Sequence, residues 1–203
     1  MKSICIFEDG TYQNFLPLAY NRPVYELRCG IYSFLDRIVL QYPDTEINLF
    51  CREYLNNLVS ESHSYSVNNI KNNNKGCLFL NGRLLMPTPI SVSGKEEIGI
   101  MDNTIVYARL LIKNCRAFTP EKFLDQGFIN ELKKKFNVKK VKARLVHYPW
   151  DLIDINKEQI KSDFTSHIKD GLIQAVIHEG VHMIKDSQIF TGKNTVIKPG
   201  CVL

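Results

Sequence analysis

Several features are scarce or missing in this 203-residue chain, and each absence removes a class of function. The six cysteines (Cys5, Cys29, Cys51, Cys77, Cys115, Cys201) form no Cys-x-x-Cys pair, and several lie inside apolar runs such as Ile4-Cys5-Ile6. A disulfide framework or a zinc knuckle needs closely paired thiols. The scatter reads instead as buried, reduced side chains of a cytoplasmic protein. There is no apolar span of about 18 residues, and the N-terminus opens directly on a short apolar strand without a long h-region. Membrane insertion and secretion are therefore not expected.

What is present is ordinary in amount and uneven in placement. Hydrophobic residues make up 44% and charged residues 23%, as in a soluble globular protein with a real core. The net charge of +5 is concentrated in Lys133, Lys134, Lys135, Lys139, Lys140, Lys142 and Arg144. Such a stretch can attract nucleic acid, but no recognised binding motif accompanies it. It reads as the solvated side of a helix and the following strand, so no nucleic-acid partner is expected.

Along the chain, Ser3 to Phe7 reads as a strand closed by the turn-like Glu8-Asp9-Gly10-Thr11. A loop runs to Arg22, and Pro23 suits the first turn of a helix reaching about Gln41. Ile47 to Cys51 is a second strand, Arg52 to Val59 a short helix, and Asn68 to Lys75 a polar, Asn-rich loop. Cys77 to Leu80 is a third strand, apolar as if buried on both faces. Ile98 to Met101 and Thr104 to Leu111 read as strands joined at Asp102-Asn103. Pro120 to Phe136 reads as one amphipathic helix, Val138 to His147 as a strand, and Asn156 to Phe164 as a last helix.

Strands alternating with helices predict an α/β fold with a mostly parallel sheet and helices on both faces. Ligands of such sheets bind beyond the carboxyl ends of the strands. The loop after Phe7 and Asn81-Gly82-Arg83 should therefore lie side by side at a site.

The C-terminal segment supports two readings. His178-Glu179-Gly180-Val181-His182 is a literal His-Glu-x-x-His, which on a helix would hold zinc for hydrolysis. Its neighbours are β-branched and Gly180 interrupts it, which suits strands and a turn rather than a helix. Ile184, Phe190, Val196 and Val202 recur every six residues, the rhythm of a hexapeptide β-helix. The β-helix is the preferred reading. It predicts a first domain over about residues 1–165 and the first coils of a second over 166–203, ending on apolar residues as though further chain or another subunit covered them.

Three segments carry a family resemblance: Leu16-Pro17-Leu18-Ala19-Tyr20-Asn21-Arg22-Pro23-Val24-Tyr25-Glu26-Leu27-Arg28-Cys29-Gly30, Asn81-Gly82-Arg83-Leu84-Leu85, and Pro149-Trp150-Asp151-Leu152 with Asn156 after it. In this order, and followed by hexads, they resemble a divergent group of bacterial sugar nucleotidyltransferases akin to the bifunctional N-acetylglucosamine-1-phosphate uridylyltransferase / glucosamine-1-phosphate acetyltransferase. The resemblance implies a Rossmann-like nucleotidyltransferase domain, its sheet mixed and mostly parallel with helices on both faces, followed by the start of a left-handed β-helix, through which a homo-oligomer (trimer) would form. It implies transfer of a nucleotidyl group from a nucleoside triphosphate, UTP in the parent family, to a sugar 1-phosphate such as N-acetylglucosamine 1-phosphate, with Mg²⁺ as cofactor.

Carried over position by position, the resemblance puts Gly10 and Thr11 at the phosphate loop and Arg22 near a loop lysine. It puts Asn156, with Asp151, near the metal. Arg22 and Arg83 would act on phosphates, and Arg28, Asn81, Gly82 and Trp150 would line the substrate site.

The departures point to a rival, a catalytically silent nucleotide-sugar-binding or assembly domain. The loop keeps a single Gly, Leu18 stands where the family has Lys, and Arg83 stands where it has a metal-binding Asp. Arg83 would then meet phosphate itself, with Asp9, Asp151 or Asp154 offering metal oxygens. Simpler roles are open to the same residues. Arg22 and Arg28 can pair with Glu26 or Glu8, Asn81-Gly82 can end a buried strand, Trp150 can anchor packing, and Asp151 can cap a helix.

Overall fold

The computed structural model describes residues 3–70, 76–85, 88–125, 127–167 and 171–203. The chain opens with β1 (Ser3–Phe7), as its apolar run predicts. It then turns into a 3-10 helix, Gly10–Phe15, whose Thr11 amide donates to the Asp9 carboxylate. The helix expected from Pro23 to Gln41 is interrupted. Val24–Glu26 makes one 3-10 turn, β2 (Arg28–Cys29) and β3 (Tyr32–Ser33) form a hairpin, and α1 (Phe34–Leu40) begins only then. Gly30 in the hairpin has φ +78°, incompatible with a helix, and Ser33 with Asp36 forms the capping box that starts α1.

β4 (Glu46–Phe50) leads through a 3-10 turn, Glu53–Leu55, into α2 (Asn56–Ser62) and β5 (Ser66–Val67). Most of the Asn-rich loop, residues 71–75, lies outside the described residues. β6 (Cys77–Asn81) and β7 (Leu84–Leu85) follow. β8 (Glu97–Met101) and β9 (Thr104–Leu110) are the expected hairpin. Its Asp102-Asn103 turn has φ of +46° and +61°, the left-handed pair that matches strand twist.

After α3 (Ile112–Cys115), the single helix expected over Pro120–Phe136 is two, α4 (Pro120–Leu124) and α5 (Phe128–Lys135). Asp125 is extended between them, and its side chain takes the Gly127 amide at 2.8 Å. The strand expected to His147 is likewise two pieces, β10 (Val138–Lys140) and β11 (Arg144–Leu145). The last helix starts earlier than expected: α6 spans Pro149–His167. Its start is Pro149 together with Asp151, whose Oδ2 accepts the amides of His147 and Tyr148 at 2.8 and 3.0 Å.

The main sheet has seven strands in the order β10-β8-β9-β6-β1-β4-β5. β9 runs antiparallel to both neighbours, and the remaining pairs are parallel. Alternate side chains of a strand leave on opposite faces. Thus Ile4 and Ile6 of β1 enter one core, with α1 and the first loops. Cys5 and Phe7 enter the other, with α3, α4 and α5. Phe123 of α4 centres the second core, stacked on Phe7 with ring centroids 3.8 Å apart and flanked by Phe79, Phe118 and Phe128. Five of the six cysteines are buried, as expected, and Cys201 is exposed.

The chain divides into two compact units, Met1–Asn156 and Lys157–Leu203. In the second, short parallel contacts join chain segments about three hexads apart. β12 (Val176–Ile177) pairs with β13 (Val196–Ile197), Ile173 bridges to Thr191, and His182 bridges to Val202. The Thr191 hydroxyl ties the turn by accepting the amides of Gln174 and Ala175. The zinc reading loses its footing here. His178 and His182 lie on extended segments either side of a turn at Gly180, φ +86°, so no helix sets the two imidazoles one turn apart. Among the described residues no helix is long and apolar enough to cross a membrane.

Candidate functional site

The carboxyl ends of β1 and β6 meet as the alternation of strands and helices requires. The Gly82 amide donates to the Phe7 carbonyl at 2.8 Å, so the two strand ends are tied before any side chain is considered. A side chain at Gly82 would stand 2.9 Å from Tyr25 Cβ and 3.0 Å from the Phe7 oxygen, so only glycine permits this approach.

Two consecutive carboxylates leave β1 here, and each finds a buried arginine. Asp9 takes Arg83 in a two-pronged pair, Nε to Oδ1 at 3.1 Å and Nη2 to Oδ2 at 2.6 Å. Its Oδ2 also accepts from the Asn81 amide at 2.7 Å, and its Oδ1 accepts the Thr11 backbone amide. Arg83 continues to the Val146 carbonyl at 2.6 Å and the Thr11 hydroxyl at 3.2 Å. Asn81 completes the knot by accepting the Arg83 backbone amide at 3.0 Å and donating to the Ile105 carbonyl.

Glu8 pairs with Arg52, Nε to Oε2 at 2.8 Å, and accepts the Val24 amide at 2.9 Å. Burial raises the Glu8 carboxyl above its ordinary value, and the charge of Arg52 opposes that shift. Arg52 also donates to the carbonyls of Ala19 and Arg22, and its guanidinium lies 4.3 Å over the Tyr12 ring. Tyr54 donates to the Tyr20 carbonyl at 3.0 Å. The strap from Ala19 to Arg22 is therefore held by its carbonyls, and the side chains of Tyr20 and Arg22 face solvent.

The sequence-derived residues thus fall into distinct places. Gly10, Thr11, Asn81, Gly82 and Arg83 come together. Arg83 is 1% exposed and its guanidinium is engaged by Asp9, Thr11 and Val146, so meeting a phosphate would require that pair to break. Gly10 lies under α4, where a Cβ would come 2.8 Å from the Leu124 carbonyl. A cavity of about 200 Å³ opens beside it, lined among others by Asp9, Gly10, Thr11, Thr104 and Asp125.

Arg28 and Asn156 belong to a second group, in which the hairpin β2–β3 meets the start of α6. There Asn156 Oδ1 accepts the Gly30 amide at 2.8 Å, and exposed Arg28 donates to the Ile31 carbonyl. Arg22 is exposed on the strap. Trp150 does not take the alternative role of packing anchor. It is 58% exposed and stacks on Tyr148, centroids 4.6 Å apart and planes 9° from parallel. Tyr148 follows Val146, whose carbonyl accepts from Arg83, by two residues.

Sequence reasoning missed the Arg52–Glu8 pair and the Tyr148–Trp150 stack. The first had a signal: an arginine directly after a buried parallel strand and beside a strand that ends in Glu8.

The Mg²⁺ implied by the resemblance does not fit the residues proposed for it. Asp151 closes the start of α6, Asn156 Oδ1 holds the hairpin, and Asp9 is saturated by Arg83, Asn81 and Thr11. Among the described residues no three His, Cys, Asp or Glu side chains are grouped to hold a metal ion.

Comparison with solved structures aligns the chain with a candidate glucose-1-phosphate thymidylyltransferase of Bacillus anthracis, in complex with sucrose. That match has 14% identity and TM-score 0.43, covering 78% of this chain and 95% of that one. The inositol-1-phosphate CTP transferase of T. maritima aligns at 12% identity and TM-score 0.51, covering 82% of this chain and 97% of that one. The latter is a likeness of fold. No curated protein matches the sequence. Residues 4–170, nearly the whole of the sheet unit and more, match the family described as sugar nucleotidyl transferase. The chain belongs to the sugar nucleotidyltransferase family.

Proposed function

We propose that the chain transfers a nucleotidyl group from a nucleoside triphosphate, with UTP as the first candidate, to a sugar 1-phosphate, with N-acetylglucosamine 1-phosphate as the first candidate. The observation that carries the reading is the tie between the turn after β1 and Asn81-Gly82-Arg83, at the carboxyl ends of two neighbouring parallel strands within the stretch that matches the family. A phosphate oxygen of the sugar 1-phosphate attacks the α-phosphorus. The bond from that phosphorus to the oxygen bridging to the β-phosphate breaks, and pyrophosphate leaves with the electron pair. The nucleophile is already an anion, so positioning and charge stabilisation matter more than proton transfer.

The exposed guanidiniums of Arg22 and Arg28 supply positive charge, and Thr11 with the backbone at Gly10 meets the nucleotide. The outer face of Trp150 offers a surface on which a base or a sugar ring can stack. A divalent ion would contribute charge neutralisation on the phosphates. Asp151 and Asn156 keep the local structure that presents Arg28 and Trp150. In this reading the protein is cytoplasmic, and residues 166–203 are the first coils of a left-handed β-helix.

The test is pyrophosphate release by purified protein given UTP, Mg²⁺ and a panel of sugar 1-phosphates. Turnover with one sugar and one base would establish the substrates. No turnover with any nucleoside triphosphate, together with no nucleotide binding by calorimetry, would overturn the proposal. Binding of a sugar nucleotide without turnover would favour the silent binding domain, a reading to which the buried Arg83 lends weight.

A further inference from the structure

Four oxygen atoms converge on the Arg83 guanidinium. Both carboxylate oxygens of Asp9, the Thr11 hydroxyl and the Val146 carbonyl lie within 2.6–3.2 Å of its nitrogens. Carboxylate, hydroxyl and main-chain carbonyl are the hard oxygen donors that magnesium or calcium ordinarily takes. Here a side chain fills the shell.

We propose that Arg83 is a built-in cation occupying the place of a divalent ion, so that the chain binds a nucleotide without holding a metal of its own at this turn. The nucleotide part rests on the nucleotidyl-transfer reading; the cation part stands without it.

Three facts support the assignment. The shell is buried and organised around a positive centre: Arg83 is 1% exposed, Asn81 is fully buried, and Asn81 orients both Asp9 and the Arg83 backbone. A guanidinium keeps its charge at any pH a protein meets, so the centre never empties as an ion site would. Asp151 and Asn156, two further oxygen donors suggested for a metal, are committed to the start of α6 and to the hairpin. Charge for the ligand's phosphates must then come from side chains that remain in water, of which Arg22 and Arg28 are the nearest candidates by sequence.

The measurement is Mn²⁺ binding without nucleotide, read by the paramagnetic resonance signal of the free ion. The wild-type chain should leave the signal of millimolar Mn²⁺ essentially unchanged. Arg83→Ala vacates the shell and should bind Mn²⁺ about tenfold or more tightly than wild type, and Arg83→Ala with Asp9→Asn should lose that gain. In parallel, the affinity of wild type for UDP-N-acetylglucosamine in EDTA and in Mg²⁺ should agree within about twofold.

One Mn²⁺ bound per wild-type chain and lost on Asp9→Asn would overturn the proposal. So would a folded Arg83→Ala variant that gains no Mn²⁺ affinity. If that variant does not fold, the wild-type titration decides alone. Absence of all nucleotide binding would sink the nucleotidyl-transfer reading while leaving the Mn²⁺ result to judge the cation.

Discussion

Glu8 and Asp9 follow one another at the end of β1, and each faces a buried arginine on its own side of the chain. Ion pairs of this kind add little over apolar packing, but removing one partner leaves a buried charge uncompensated. Arg52→Met should therefore cost about 3–5 kcal/mol in urea unfolding, because Glu8 then lies buried without its cation. Arg52→Lys should recover only part, since an ammonium cannot reach Glu8, Ala19 and Arg22 together as the forked guanidinium does. A loss below about 1 kcal/mol for Arg52→Met would mean that the pair contributes nothing to the strap. The neighbourhood of Asn81-Gly82-Arg83 and the loop after Phe7 was legible from strand order alone. The role of Arg83 was not, because the identity of a residue does not say whether its guanidinium turns outward to a ligand or inward to Asp9.

Elements were legible where one hydrophobic period continues and misread where it runs across a break. Leu27, Ile31, Phe34, Leu35 and Ile38 mimic one helical face, yet a hairpin interrupts them at Gly30, and the first two are not helical. The same happened at Asp125, where the extended backbone turns one amphipathic stripe into α4 and α5 packing around Phe123. The hairpin β8–β9, by contrast, was read correctly from Asp102-Asn103. It also carries a titratable clasp. The Tyr107 hydroxyl donates to Glu97 at 2.7 Å, Arg109 sits 3.1 Å away, and the two hold the Glu97 carboxyl below its ordinary value of 4.5. A lowered value in the folded state stabilises the protein at pH above the unfolded value and loses that contribution as pH falls through the folded one. As pH falls from neutral into the acid range, wild type should therefore lose more stability than Glu97→Gln, read from urea midpoints. Parallel curves for the two proteins would show that the clasp carries no pH dependence.

For the whole molecule, the α/β class and the mostly parallel sheet followed from alternating strands and helices. The reversal of β9 against β8 followed from the turn at Asp102-Asn103. Its pairing with β6 in the middle of the sheet did not, because strand order is set by pairing and not by a strand's own residues. Both hydrophobic cores of the sheet unit are built from residues no later than Ile155. A chain cut after His167 should therefore melt within about 2–4 °C of the full chain by circular dichroism. A larger fall would mean that the C-terminal unit is needed for the sheet to stand. In the C-terminal unit Val176 pairs with Val196 and His182 bridges to Val202, both in parallel. The His-Glu-x-x-His inside it shows the limit of a motif read without its backbone.

The stack of Trp150 on Tyr148 has a practical consequence. The chain has one tryptophan, so all indole fluorescence comes from a single half-exposed ring stacked on Tyr148. Its emission in the native state is already close to that of an unfolded chain, and melting followed by tryptophan colour would look silent while the core comes apart. For a ligand settling on that ring the reverse holds. The same lamp that is blind to unfolding is a reporter of arrival, with no label to attach.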